Sequence, residues 1–297
     1  MRTKTTVTLL ATVAVLGAGA VALPVHAQLR GASRAPTRPA RDAKAQALYD
    51  WANHMGMLRG VNENDAIATL ELHGSGVIDV AGQACRSTDY HESVNYQQGG
   101  VRVTYTCTKP DGSTYKAGEL VRDMWAWNED GPPGAGLVPG RGTAVPMPNL
   151  LAERLIRLWS SPQGAVKAAV KGAAATTVAM EAGKTVVSYP IPGVAGATAK
   201  ATLTSGAANG LCTSFCAEKI EVRQGTTVTE FTYSNHADYN PAENKLDAFY
   251  AGRMIEKKNG ATVRDITVRE TQTANVYIVI PVPESVKTAS ARQSAER

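Results

Sequence analysis

Most of the signatures by which a sequence announces its chemistry are missing from this 297-residue chain. It has no phosphate-binding glycine loop, no His-Glu-x-x-His and no calcium loop, which removes the readily recognised nucleotide, metalloprotease and EF-hand chemistries. The stretch His73-Gly74-Ser75-Gly76 is not a nucleophile elbow. The residue two before Ser75 is histidine rather than glycine, and the segment lies inside a strand pattern instead of at a strand-to-helix turn. No asparagine is followed two residues later by serine or threonine, so there is no N-glycosylation acceptor, which favours a bacterial envelope over a eukaryotic secretory route. Beyond the N-terminus no run is apolar enough to cross a bilayer, and no cysteine follows the N-terminal run as a lipid anchor would require. A large basic excess is also missing. Lys+Arg total 31 against 26 Asp+Glu, and Arg2 and Lys4 belong to the leader, so the remainder is nearly balanced and carries no nucleic-acid footprint.

What is present begins with a secretory signal. Arg2 and Lys4 form a charged start, Val7 to Ala22 an apolar run, and Val25-His26-Ala27 a small-x-small cleavage site behind Pro24. The expected organisation is a signal peptide over 1–27, a disordered leader over 28–41, one β-rich domain over 42–288 and a disordered tail over 289–297. The mature protein is then periplasmic or secreted, with no integral membrane span. The four cysteines, Cys85, Cys107, Cys212 and Cys216, are an even number in an oxidising compartment and point to two disulfides. Asn95 to Gly100 reads as a turn midway between Cys85 and Cys107. Flanking strands would set these two opposite each other at a Cα separation of about 4.5–5.5 Å, which suits a disulfide. Cys212 and Cys216 are too far apart on an extended strand and meet only if the chain turns near Gly210 and Ser214.

Asp42 to Leu58 predicts a helix, with Ala45, Leu48, Ala52 and Met55 on one face. The period then changes to two. In Thr69–Val80, Leu70, Leu72, Gly74, Gly76, Ile78 and Val80 point one way, and the two glycines predict a bend or a close neighbour. Further strands are expected at Val101–Thr108 and Ser113–Asn128, and a second helix after the Gly131–Gly142 loop. Strands follow from Thr176 onward, ending at Asn275–Pro281, with Lys258-Asn259-Gly260 as the clearest hairpin turn. Helix, strands, helices, then many strands is an α+β order with a large antiparallel sheet.

Candidate chemistry is thin. Asp89-x-His91-Glu92 and His236-x-Asp238 hold metal-ligating types, but neighbouring strand residues point to opposite faces, so neither is expected to converge. Cys212 and Cys216 lack a second ligand pair for zinc. No metal, no cofactor and no catalytic residue is expected, and His73, His91 and His236 are expected not to share a site. The apolar residues Trp51, Met55, Leu70, Leu72, Trp125, Trp127, Leu155 and Trp159 are the candidate ligand-binding set, lining a pocket between sheet and helices.

The run Asp65 to Gly76, then Asp111-Gly112-Ser113-Thr114, Trp125-Ala126-Trp127-Asn128, a helical insert, Arg253 to Val268 and Asn275 to Pro283 resembles the LolA-like, lipoprotein-sorting superfamily of bacterial envelope proteins. The resemblance implies a curved antiparallel sheet, an incomplete barrel, wrapped on a few helices, with acyl chains held in the gap. The expected function is a non-enzymatic carrier of an apolar ligand, a lipid or acyl chain. The alternative is a structural or protein-interaction module with an envelope protein partner and a filled concave side.

Overall fold

The computed structural model describes residues 40–59, 64–131, 142–210, 212–238, 249–272 and 277–295. The expected signal peptide and nearly all of the leader lie outside the described residues. The chain opens with α1 (Ala43–His54) and the short strands β1 (Leu58–Arg59) and β2 (Asn64–Asp65). A meander follows: β3 (Thr69–Val80), β4 (Gln83–Asn95), β5 (Gly100–Thr108), β6 (Thr114–Arg122), β7 (Trp125–Asp130) and β8 (Thr143–Pro146). The helices α2 (Leu151–Ser160) and α3 (Pro162–Lys171) interrupt it. A second run contains β9 (Thr177–Glu181), β10 (Lys184–Pro190), β11 (Ala197–Asn209), β12 (Cys212–Gln224) and β13 (Thr227–Ser234). It continues through β14 (Ala237–Asp238), β15 (Phe249–Tyr250), β16 (Arg253–Lys258) and β17 (Ala261–Gln272), and α4 (Glu284–Ala295) closes it.

Thirteen strands make one open antiparallel sheet in the order β8-β7-β6-β5-β4-β3-β17-β16-β13-β12-β11-β10-β9. The expected α+β class with a large antiparallel sheet and few helices is what the chain adopts. Its topology places the helices. The first meander ends on one edge strand, β8, and the second begins on the other, β9. The link between them, α2 and α3, must therefore cross from edge to edge. It does so on the apolar face, where α2 buries every residue from Arg154 to Ser160. The main core lies there, with Leu155, Trp159, Ala165 and Val166 from α2 and α3 packed among Leu70, Leu72, Val94, Val103 and Ile220.

Alternation builds most strands, and β3 spans the expected Thr69–Val80. Asp42 caps α1 by accepting a hydrogen bond from the Ala45 amide (2.7 Å). The strand β4 escaped the period-two reading because a bulge shifts its parity. Cys85 and Ser87 face inward before it, Tyr90, Glu92 and Val94 after it. The stretch 277–281 forms no strand, correcting the last expected strand. Ile278, Ile280 and Val282 instead cover the opposite face of the sheet, burying Leu120 and Trp127 in a second small core. The backbone of Ala289 to Ala295 is helical, part of α4, rather than a tail. Among the described residues no helix is long and apolar enough to cross a membrane.

Both expected cysteine pairs form. Cys85 and Cys107 stand 5.4 Å apart at their Cα atoms, on β4 and β5. Cys212 and Cys216 are 6.2 Å apart because Phe215, at φ 57°, bends β12 between them. Removing the first bridge as a Cys85→Ala/Cys107→Ala pair is expected to lower stability by about 3 kcal/mol, the loop-closure value for a span of this length. Urea unfolding with and without reductant measures it. Equal midpoints for the wild type in the two conditions would show that the bridge adds nothing.

Candidate functional site

The space beneath α2 is filled by charge. Arg264 of β17 donates to Glu119 of β6 (2.6 Å) and approaches Glu256 of β16 (3.6 Å). Arg157 of α2 donates to both Glu256 oxygens (3.0 and 3.3 Å) and lies near Glu119 (3.5 Å) and Glu153 (3.5 Å). Lys258 reaches Glu153 from outside (2.8 Å). Tyr90 donates to Glu92 (2.8 Å), Tyr105 to Glu119 (3.1 Å), and Arg264 donates to the Tyr90 hydroxyl (3.3 Å). Arg154 donates to the carbonyls of Leu120 (2.8 Å) and Trp127 (2.6 Å). The cluster thus ties α2 to strands from both meanders.

Its electrostatics follow from position. Burial raises the Glu119 carboxyl, but Arg264, Arg157 and Arg154 outweigh it and hold the group at about 2. Glu92 goes the other way. Burial lifts its pKa, and the Tyr90 hydrogen bond, Arg264 and Arg157 only partly oppose this. The cavity left beside the cluster measures about 30 Å³, lined by Tyr90, Glu92, Arg157, Tyr250 and Arg264 among others. That is room for one or two waters, not for a ligand.

Two larger grooves lie at the rim of the sheet, and a third space, of about 410 Å³, lies beside Gly76, Arg253 and Asp265 on the central strands. One groove of about 540 Å³ runs between α1, the start of β3 and α3, lined by Ala52, Met57, Leu58, Ile67, Val166 and Val170, with Lys167, Lys171 and Asp65 at its mouth. A second, of about 460 Å³, is lined by Met124, Trp125, Leu151, Leu155, Pro192 and Gly193. Tyr96, Gln97, Trp159 and Lys171 line both, so the Trp159 indole stands between the two grooves as a shared wall. Lys171 lies 5.9 Å from the Trp159 ring and Lys167 5.1 Å from the Tyr96 ring. Lys167 pairs with Asp65. Burial lowers the Lys167 pKa, and Asp65 opposes the shift.

The eight residues expected to line a pocket are therefore divided. Trp125, Leu155 and Trp159 line a groove. Trp51, Met55, Leu70 and Leu72 are closed into the main core, and Trp127 into the second. None of these five lines the cavity under α2 or a rim groove. The glycines of β3 make no room either. A Cβ on Gly76 would stand 2.0 Å from the Asp265 carbonyl oxygen, and one on Gly74 2.7 Å from that of Thr267, so the space is filled by the backbone of β17. Sequence reasoning missed Lys167, Lys171, Tyr96 and Gln97. A signal existed in α3, where Val166 and Val170 sit beside Lys167 and Lys171 at a four-residue spacing.

On the opposite face of β3 and β4, Glu71, His73 and His91 come together. The rings of His73 and His91 stack at 4.2 Å and 11°, and His91 Nε2 lies 2.5 Å from Glu71 Oε1. Burial, then the neighbouring His73, lowers the His91 pKa. The expectation that the histidines stay apart is corrected for this pair. It assessed neighbours along one strand, whereas His73 and His91 are direct partners across two. His236 is not a member of the group.

No family model matches the sequence, and no curated protein is similar to it. Among solved structures, the chain is similar to a LolA superfamily protein from Nitrosomonas europaea, with 9% identity and a TM-score of 0.41 over 77% of this chain and 94% of that one. It is also similar to a DUF1329 family protein from Desulfovibrio piger, with 8% identity and a TM-score of 0.37 over 79% of this chain and 94% of that one.

Proposed function

We propose that this protein is an exported, non-enzymatic binding protein that holds an amphiphile, an acyl chain with an anionic head, in the two rim grooves around Trp159. One observation carries the reading: two largely apolar grooves share Trp159 and Lys171, with Lys167 beside them. Apolar walls accept methylenes, and the exposed Lys171 ammonium, beside the Lys167–Asp65 pair, favours a carboxylate or phosphate over a neutral head. Burying ten methylenes contributes about 8 kcal/mol before the costs of ordering, enough for useful affinity. The site differs from the pocket beneath the helices that the sequence led one to expect. The two cysteine pairs support an oxidising, extracytoplasmic location.

Titration of the mature protein with palmitate, lysophosphatidylglycerol and a neutral monoacylglycerol tests this, read by tryptophan fluorescence and confirmed by calorimetry. The anionic amphiphiles are expected to saturate and the neutral one to bind more weakly. Trp159→Ala is expected to remove most of the affinity, and Lys167→Gln/Lys171→Gln to reduce the preference for anionic heads by roughly fivefold, the scale of exposed charge pairs. No binding by any of the three would sink the reading. The charged, filled interior would then favour the second one, a structural or protein-interaction module of the envelope.

A further inference from the structure

The cluster on the outer face of β3 and β4 plays no part in the grooves. We propose that Glu71, His73 and His91 form a site for a borderline divalent transition metal such as zinc. Each residue presents one donor atom, and the three donors lie within 4.8 Å of one another. Bonds of about 2.0–2.1 Å in a tetrahedral site place donors roughly 3.3 Å apart, so side-chain rotations that move them about an ångström complete the set. Two imidazoles and a carboxylate suit zinc, nickel or copper(II) rather than calcium or magnesium, which take oxygen ligands.

The backbone supports the arrangement. His73 and His91 are cross-strand partners, and Glu71 is opposite Ser93. The Ser93 hydroxyl lies 3.4 Å from both Glu71 Oε1 and His91 Nε2, at the edge of the cluster. Two bulges gather just beyond the pair, one on β4 between Ser87 and His91, where the register shifts against both β3 and β5, and one on β17 between Val268 and Glu270. Arg269 spans this irregular patch, donating to the carbonyls of Gly74 (3.1 Å) and Thr88. Bulges re-aim side chains and concentrate at functional positions, and here they sit beside the only such group of three His, Cys or acidic residues found among the described residues. Arg102, opposite Ser93 on β5, is an opposing charge, and its own field is offset by Glu129. Three protein ligands leave at least one coordination position for water or an outside ligand, the pattern of an open site rather than a closed structural one.

Untagged protein, stripped with chelator and titrated with zinc chloride by calorimetry, tests the site. One equivalent of zinc is expected to bind, with cobalt(II) giving a visible d–d spectrum and magnesium and calcium giving no heat. His73→Ala, His91→Ala and Glu71→Gln are each expected to weaken zinc by more than about tenfold, a floor set by what losses of outer-shell partners alone cost. His54→Ala, far from the cluster in sequence and outside it, is expected to bind as the wild type does. Circular dichroism and urea midpoints check that each variant is folded. If His91→Ala is not, the imidazole resonances of His73 and His91 in the wild type carry the test, since zinc must shift both. Absence of zinc binding, binding that survives His73→Ala, or zinc that leaves both resonances unmoved would overturn the proposal.

Discussion

Arg264→Met is expected to destabilise the protein by about 3–5 kcal/mol at neutral pH, the cost of removing one partner from a buried ion cluster. Arg264 is 6% exposed, and Glu119 and Glu256 both answer to it. Methionine is of similar volume but leaves those carboxylates short of a cation, with only Arg157 and, for Glu119, Arg154 to answer them in a site that water barely enters. The cost comes from the orphaned charge, not from a lost contact, and this gives the variant a distinctive pH signature. In the wild type Glu119 titrates at about 2 against an unperturbed value of 4.5, because the three arginines outweigh its burial. A depressed carboxylate stabilises the fold fully above its unfolded pKa, and that stability is lost as pH falls from about 4.5 to about 2. Without Arg264 the same carboxylate protonates more readily, and protonation relieves the orphan. The stability gap between wild type and variant should therefore narrow as pH falls from 7 to 3. Glu92, raised by burial and pulled down by Arg264, rises further in the variant, so its protonation also narrows the gap in acid. Urea unfolding at pH 7, 5 and 3 measures the gap. A gap under 1 kcal/mol at pH 7, or one that widens in acid, would show that the cluster does not hold α2 as described.

Gly76→Ala is expected to be nearly as damaging, on the order of 4 kcal/mol, as a steric clash with backbone demands. The added Cβ would meet the Asp265 carbonyl oxygen at 2.0 Å and the Ile266 Cα at 2.9 Å. Both are backbone atoms, so no side chain can swing aside, and β3 and β17 would have to part at the seam joining the two meanders. Ser75→Ala, one residue away and only partly buried, is the control and should change little. Urea midpoints of the two variants decide the matter. A midpoint for Gly76→Ala close to that of Ser75→Ala would mean that the seam spreads at little cost.

Those two positions also show what the sequence could and could not convey. Glycines on the apolar parity of Thr69–Val80 were legible as a sign of close approach. That the neighbour is the backbone of β17, and not a ligand, depends on a pairing between segments far apart in the chain. The architecture was readable because alternation and turns such as Asp111-Gly112 and Asn259-Gly260 are local. The strand β4 was not, because its bulge breaks the parity on which the reading depends. Nor was the charged interior. A glutamate or arginine in a strand ordinarily faces water, and only the crossing of α2 brings Glu119, Glu256 and Arg264 under cover. The clue was parity: Arg264 shares its face of β17 with Ile266 and Val268, both buried. Trp159 was picked out as a binding residue by its size and position, but five of its companions form core, since bulk in a helix or strand does not distinguish lining from filling.

The seam has a temporal consequence. β3 stands at the centre of the finished sheet, yet its partner β17 is among the last strands of the chain, residues 69–80 against 261–272. At about 5–20 residues per second, synthesis leaves that inner strand without its neighbour for roughly 10–40 s. Through that interval one long edge of the first meander is bare, and the arginine that settles Glu119 has not yet been made. Folding of this chain is therefore gated from its far end. A polypeptide so arranged stays unfinished until nearly all of it has been made.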